Sequence, residues 1–98
     1  MDISIIIVNY KSKGFTLNCI KSILEADFNI PGRKLEREII VVDNNSEDGI
    51  GEILKWQFDE VKFIQNSDNL GLGHGNNAGF QKATGDYVVV MNPDTWVF

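Results

Sequence analysis

The chain has 98 residues, of which 43% are hydrophobic and 23% charged, so it is long enough for one compact domain and is neither disordered nor fibrous in composition. Fourteen Asp and Glu residues against nine Lys and Arg give a net charge of -5, which argues against nucleic-acid binding. With so acidic a chain, we expect a nucleotide diphosphate to need a metal ion.

The first half of the chain predicts two strand and helix pairs. Residues 3–8 form a run rich in β-branched side chains, typical of a strand buried on both faces. Apolar residues at helical spacing predict a helix over residues 16–26, with Thr16 as its N-cap. Residues 29–37 are predicted as a loop, residues 38–42 as the second strand, and the helical pattern resumes at Ile50.

The second half repeats the alternation. Residues 61–64 predict a third strand, residues 76–84 a helix capped by Gly85, and residues 87–91 a fourth buried strand. Strands that alternate with helices predict an open, mostly parallel α/β sheet with helices on both faces. Ligands of such sheets bind beyond the carboxyl ends of the strands, at the point where the strand order reverses.

Three of the four predicted strands end in polar side chains: Asn9, Asp43, and Asn92 with Asp94. Asp43 is suited to accept hydrogen bonds from a base or a ribose, and equally to shape the turn that follows it. Asp94 is suited to hold Mg²⁺ or Mn²⁺ together with a substrate's phosphates, but Asn-Pro-Asp-Thr is also an ordinary turn sequence. Both interpretations stay open for each residue.

Other chemical motifs are weaker. The Gly71–Gly75 stretch lacks the third glycine of a dinucleotide loop, since Asn76 stands there, and it follows the third strand rather than the first. His74 has no metal-ligand partner and is interpreted as a surface residue. Cys19 is interpreted as a small core side chain, and Trp56 and Trp96 as packing residues.

Five segments in order resemble the family-two glycosyltransferases, with the closest likeness to their rhamnosyltransferase-like branch. These segments are Ile5–Tyr10, Ile40–Ser46, Asn69–Gly71, Asn76–Gly79 and Asn92–Thr95. The resemblance implies that residues 1–98 are the nucleotide-sugar-binding portion of a GT-A (Rossmann-like) domain.

The resemblance also assigns residues. It implies a metal-ligand role for Asp94, the last position of the family's Asp-x-Asp motif, whose first position is Asn92 here. It implies that the nucleotide sugar contacts residues along the carboxyl edge: Asn9, Tyr10, Asp43, Asn45, Asn69, Asn76, Asn77 and Asn92. The cofactor implied is Mg²⁺ or Mn²⁺.

The activity implied is transfer of a sugar, with inversion, from a UDP- or dTDP-linked donor to a saccharide or lipid-linked acceptor in cell-surface polysaccharide or glycan synthesis. The catalytic base would lie beyond Phe98, and residues 96–98 form an apolar end, so we expect a truncated chain that is inactive alone. That apolar end would also favour pairing of two copies. The expected location is the cytoplasm, at the inner membrane face for a longer protein.

Two alternatives remain. A non-catalytic nucleotide or nucleotide-sugar binding module would keep the same strand-end residues without a downstream base. A phospho-acceptor receiver domain also places an aspartate at a strand end, but it expects an acidic pair where this chain has Asn9 and Tyr10.

Overall fold

A computed structural model describes residues 1–26, 29–69 and 71–94 of the chain. The predicted turn residue Thr95, Trp96 and the apolar end lie outside these residues. The elements follow in chain order: β1 Ile3–Asn9, α1 Lys13–Glu25, β2 Asn29–Ile30, β3 Arg33–Lys34, β4 Arg37–Asp43, α2 Ile50–Gln57, β5 Lys62–Gln65, α3 Leu72–Lys82 and β6 Tyr87–Met91.

The main sheet is parallel, as the sequence predicts for an open α/β fold. Its strand order is β5-β4-β1-β6. The chain adds β4 and β5 on one side of β1 and then crosses to the other side for β6. The order therefore reverses at β1. In a phospho-acceptor receiver domain, the first strand of the sheet in chain order lies between the second and the third. Here β1 lies between β4 and β6, which are the second and fourth strands of the main sheet, so the receiver interpretation is excluded.

Helices cover both faces of the central strands. Ile5 and Ile7 of β1 belong to one core cluster with residues of α1 and α2, whereas Ile6 and Val8 belong to a second cluster that includes Ala78 of α3. Because successive side chains of a strand point to opposite faces, a strand covered on both sides must be apolar throughout. This explains the nearly continuous apolar run over residues 3–8, in which Ser4 is the one polar residue.

The prediction that residues 87–91 form a buried strand is wrong about burial, because this strand, β6, is exposed in the part of the chain that the structure describes. Tyr87 is 74% exposed, and Val88, Val89 and Val90 are 41%, 42% and 41% exposed. The physical reason is position, because β6 is an edge strand whose hydrogen-bonded neighbour in the described sheet is β1. An apolar run of residues predicts a strand but not what covers it.

Several local predictions are also corrected. Helix α1 begins at Lys13 with Ser12 at its N-cap position, and Thr16 lies within the helix. Helix α3 begins four residues earlier than predicted and ends at Lys82, where Ala83 is extended, so Gly85 is not its cap. The predicted loop over residues 29–37 contains the β2–β3 hairpin, with Gly32 at φ 81 in its turn.

The side chain of Trp56 does not pack in the core, since it is 85% exposed. Helix α2 buries Ile50 and Leu54, which lie one turn apart. A residue two positions beyond Leu54 points about 200° away around the helix, toward solvent. Cys19 and His74 are buried and exposed, respectively, as predicted. No helix in the described ranges is long and apolar enough to cross a membrane.

Two glycines one turn apart bring α3 close to β1. A Cβ at Gly79 would lie 2.6 Å from Cγ2 of Ile6, and one at Gly75 would lie 2.7 Å from Cγ1 of Val8. We expect Gly79→Ala to lower the free energy of unfolding by about 1–3 kcal/mol, because overpacking outweighs alanine's better helix propensity. Urea denaturation tests this. Gly73→Ala is the control, since a Cβ there meets nothing within 4 Å, and equal stability of the two variants would contradict the close packing.

Candidate functional site

Polar side chains line the carboxyl edge of the sheet. Asn9 of β1 is in register with Asp43 of β4, and Asp43 with Gln65 of β5. Strand β6 ends at Met91, which pairs with Ile7, so residues 92–94 follow at the same edge. The predicted strand-end residues thus share one edge, and Gln65 joins them, a residue that the sequence analysis missed.

Asn9 is fully buried, and protein groups use both of its polar atoms. Its Nδ2 donates to Oδ1 of Asp43 at 2.8 Å and lies 3.1 Å from Oδ2 of Asp48 and 3.2 Å from Oγ of Ser46. Its Oδ1 accepts a hydrogen bond of 2.7 Å from Oγ1 of Thr16. Asn9 therefore ties the end of β1 to α1 and to the loop after β4, which makes it a residue that positions the site.

Asp43 is 2% exposed and accepts hydrogen bonds on both carboxylate oxygens. Oδ1 accepts from Oγ of Ser46 at 2.6 Å, and Oδ2 accepts from the Ser46 N–H at 3.1 Å and from Nε2 of Gln65 at 3.0 Å. Burial raises the pKa of Asp43, but hydrogen bonds from Ser46, Asn9 and Gln65 outweigh it and hold the pKa below its usual value. The carboxylate is charged at neutral pH and shapes the turn, while its contact with a nucleotide stays a prediction.

Ser46 connects the two loops of the site. Its Oγ donates to Asp43 and accepts the backbone N–H of Lys11 at 2.8 Å. Lys11 was not among the predicted site residues, because this contact joins residues 35 positions apart. Three non-glycine residues with left-handed backbone lie in these loops: Lys11 at φ 52, Asn45 at φ 61 and Glu47 at φ 57. Such conformations cost energy and concentrate at functional sites.

A cleft of about 310 Å³ opens between the loop after β4 and the end of β5. Its size is within the range of small-molecule sites. Its charged lining residues are all acidic: Asp43, Glu47, Asp48 and Glu52. Carboxylates accept hydrogen bonds, so this acidic cleft suits an uncharged group that is rich in N–H and O–H donors.

The other predicted contact residues differ in exposure. Tyr10 is 42% exposed, and Nζ of Lys11 lies 5.3 Å from the centroid of its ring. Asn45 lines the acidic cleft, and Asn69 accepts the Gly71 N–H at 3.0 Å.

On α3, Asn76 and Asn77 lie in the first half of the helix. Asn77 is exposed, whereas Oδ1 of Asn76 is buried and has no hydrogen-bond partner within the described chain. Asn44 connects the loop after β4 to the loop after β5, because its side chain accepts a hydrogen bond from Asn66 at 2.9 Å and donates one to the Gly71 carbonyl at 3.2 Å.

The candidate metal ligand, Asp94, belongs to a segment that lies beside α1. The Asn92 carbonyl is 4.0 Å from Sγ of Cys19, and burial together with the negative charge of Asp94 raises the pKa of Cys19 to about 11. Asn92 and Asp94 are exposed, and over residues 1–26, 29–69 and 71–94 no group of three or more His, Cys, Asp or Glu is placed to hold a metal. One carboxylate and one amide fit Mg²⁺ or Mn²⁺ only if substrate phosphates provide further ligands.

Residues 4–98 match the sequence profile of Glycosyl transferase family 2. The chain belongs to this family. It is 31% identical to glycosyltransferase GlyA of Streptococcus pneumoniae, over 97% of this chain and 13% of that protein. It is 34% identical to the low-salt glycan biosynthesis hexosyltransferase Agl10 of Haloferax volcanii, over 95% of this chain and 28% of that protein. The chain thus spans under a third of the length of these relatives.

Solved structures agree on the GT-A fold. TarS of S. aureus, residues 1–349, superposes with a TM-score of 0.82 at 26% identity over 98% of this chain and 28% of that one. TarS has also been solved with UDP and with UDP-GlcNAc, at TM-scores of 0.81 and 0.80. The mannosyltransferase PcManGT of Pyrobaculum calidifontis, in complex with GDP-Man and Mn²⁺, has a TM-score of 0.79 at 24% identity. The match covers 94% of this chain and 27% of that one. At this identity the similarity supports the fold and no functional assignment.

Proposed function

We propose that the chain is the donor-binding part of an inverting glycosyltransferase that transfers a sugar from a UDP- or dTDP-linked donor to a hydroxyl group of a saccharide or lipid-linked acceptor. The observation that carries this is the carboxyl edge of the sheet, where buried Asn9 donates a hydrogen bond to charged Asp43, Asp43 lines the acidic cleft, and exposed Tyr10 directly follows Asn9. The similarity to TarS, which binds UDP and UDP-GlcNAc, supports it.

In this mechanism the nucleoside lies in the acidic cleft, where carboxylates accept hydrogen bonds from base and ribose, with Tyr10 against the base. The bond between the anomeric carbon and the diphosphate oxygen breaks, and its electron pair stays on the diphosphate. The acceptor oxygen bonds to the anomeric carbon from the opposite side, and its proton passes to a base in a longer protein. A divalent cation at Asp94 and Asn92 would supply a Lewis acid for the departing diphosphate.

The rhamnosyltransferase-like resemblance favours dTDP over UDP as the donor nucleotide, whereas the likeness to TarS favours UDP. The acceptor, a cytoplasmic location and a role in polysaccharide or glycan synthesis belong to this proposal. Under this proposal, residues 1–98 by themselves bind the donor weakly and transfer no sugar. Sugar transfer by the purified chain would contradict that part.

Tyr10→Ala tests the donor site with little risk to the fold, since the side chain is 42% exposed. We expect it to weaken UDP or dTDP binding by about ten-fold, because a base stacked on an aromatic ring loses that contact. The measurement is the ligand-induced rise in melting temperature with UDP, dTDP, GDP and ADP, each with and without Mn²⁺.

Trp56→Ala is the matched control, because that aromatic residue is 85% exposed in the second half of α2, which runs away from the carboxyl edge. Asp94→Ala should remove only the increment due to Mn²⁺. If none of the nucleotides stabilises the folded native chain, or if Tyr10→Ala and Trp56→Ala bind alike, the proposed nucleoside site is wrong.

A further inference from the structure

Positive charge is unevenly placed on this fold. In a parallel sheet each helix starts near the carboxyl edge and returns the chain to the opposite edge, so Lys11 and Lys13, which directly follow β1, lie at the carboxyl edge. The other Lys and Arg residues lie in the third turn of α1, on the hairpin, at the starts of β4 and β5, or in the last turns of α2 and α3: Lys21, Arg33, Lys34, Arg37, Lys55, Lys62 and Lys82.

The same edge is otherwise acidic. Its carboxylates are those of the acidic cleft, Asp68 after β5 and the exposed Asp94 after β6. A nucleoside fits such a surface, but a diphosphate carries negative charge and is repelled by it. The donor's diphosphate therefore needs local cations, and Lys11 and Lys13 are the ones that the fold brings to this edge.

The two lysines line an open pocket of about 380 Å³ together with Ser12, Gly14, Phe15 and Asn18, which include no acidic residue. This basic pocket adjoins the donor site through Ser46, whose Oγ hydrogen-bonds both the Lys11 N–H and the carboxylate of Asp43. The backbone of Lys11 is thereby fixed, while its Nζ rests over the exposed ring of Tyr10. For an exposed pair that contact is weak, so a phosphate can replace it.

The helix that carries Lys13 also contacts the segment that holds the candidate metal ligand Asp94. The Asn92 carbonyl lies 4.0 Å from Sγ of Cys19, and Cys19 is about 9 Å along the axis of α1 from Lys13.

We propose that Lys11 and Lys13 bind the diphosphate of the donor while the acidic cleft holds its nucleoside. This inference rests on the proposed function and names two residues of the same site. Each ammonium group donates hydrogen bonds to phosphate oxygens, and such charge-assisted bonds are stronger than neutral ones. The lysines would also stabilise the negative charge that the diphosphate gains when the sugar departs.

The test compares dissociation constants of UDP and uridine by calorimetric or NMR titration of the 98-residue chain in the presence of EDTA, so that no metal contributes. The variant carries Lys11→Gln and Lys13→Gln, which remove two charges but keep most of each aliphatic stem. Its matched control carries Lys21→Gln and Lys55→Gln, with the same net charge. Melting curves establish that both are folded.

We expect the first variant to bind UDP about ten-fold or more weakly and uridine within about two-fold of the native chain, with the control unchanged for both ligands. If UDP binds the native chain but both variants bind it alike, the lysine assignment is wrong and the proposed function stands. If neither uridine nor UDP binds the folded native chain, the proposed function fails, and this inference fails with it.

Discussion

Replacing Glu38 with glutamine is expected to lower the free energy of unfolding by about 3 kcal/mol at neutral pH. Glu38 is 6% exposed at the amino edge of the sheet, far from the donor site. Its carboxylate accepts hydrogen bonds from Ser4 of β1, from Lys62 of β5, and from the N–H and Oγ1 of Thr84 at 2.7 and 2.8 Å. A glutamine would turn an NH₂ group toward some of these donors.

The pH dependence gives the sharper test. Burial alone would raise the pKa of Glu38, but the hydrogen bonds from Lys62, Ser4 and Thr84 lower it from 4.5 to about 2. Because the folded pKa lies below the unfolded one, the stabilisation is complete above pH 4.5 and is lost as the pH falls toward 2. Urea denaturation at pH 7 and pH 3 should therefore show the difference between native chain and Glu38→Gln shrink at the lower pH.

Glu60→Gln is the control, since that carboxylate is exposed and its replacement should leave stability nearly unchanged at both pH values. A constant difference between native chain and Glu38→Gln across this pH range would contradict the assignment. The salt bridge to Lys62 contributes to this lowered pKa together with the hydrogen bonds from Ser4 and Thr84. The lysine side chain is 50% exposed, so solvent screening keeps its contribution below that of a fully buried ion pair.

The fold could be predicted because buried parallel strands leave a clear pattern. Runs such as residues 3–8 and 38–42 consist mostly of apolar residues and are each followed by a polar residue, which gave β1 and β4 within about one residue. The β2–β3 hairpin was missed because two-residue strands are too short to show a period. The exposure of β6 was missed because its composition is that of a buried strand, whereas its burial depends on neighbours.

The candidate site could be predicted only in outline. Asn9 and Asp43 were found because a polar residue after an apolar strand stands out in the sequence. Their partners were not, since the contacts of Ser46 with Lys11 and of Gln65 with Asp43 depend on strand register and loop conformation. For the same reason Thr16 was assigned to the helix cap, although its hydroxyl bonds to Asn9. Gly85 was given a helix-capping role because a glycine near a helix end usually has one.

The actual role of Gly85 leads to the second large effect, since Gly85→Ala is expected to cost about 3 kcal/mol or more. A Cβ at this position would lie 2.5 Å from the Ser4 nitrogen and 2.7 Å from the Ile3 carbonyl carbon. Both atoms belong to the backbone of β1, which pairs with β4 on one side and β6 on the other. A flexible side chain could move away, but this backbone cannot move without breaking the ladder.

The same substitution would disturb the cluster around Glu38, because the Gly85 N–H donates to Oγ of Ser4 at 2.7 Å and Ser4 donates to Glu38. Gly14→Ala is the control: a Cβ there meets nothing within 4 Å, and alanine should stabilise α1 by about 0.5–1 kcal/mol. Urea denaturation of both variants measures the difference, and a Gly85→Ala chain as stable as the native one would refute the close approach. Since Gly85 lies at the edge opposite the donor site, UDP affinity per folded molecule should be unchanged, which separates the residues that hold the sheet together from those that hold the ligand.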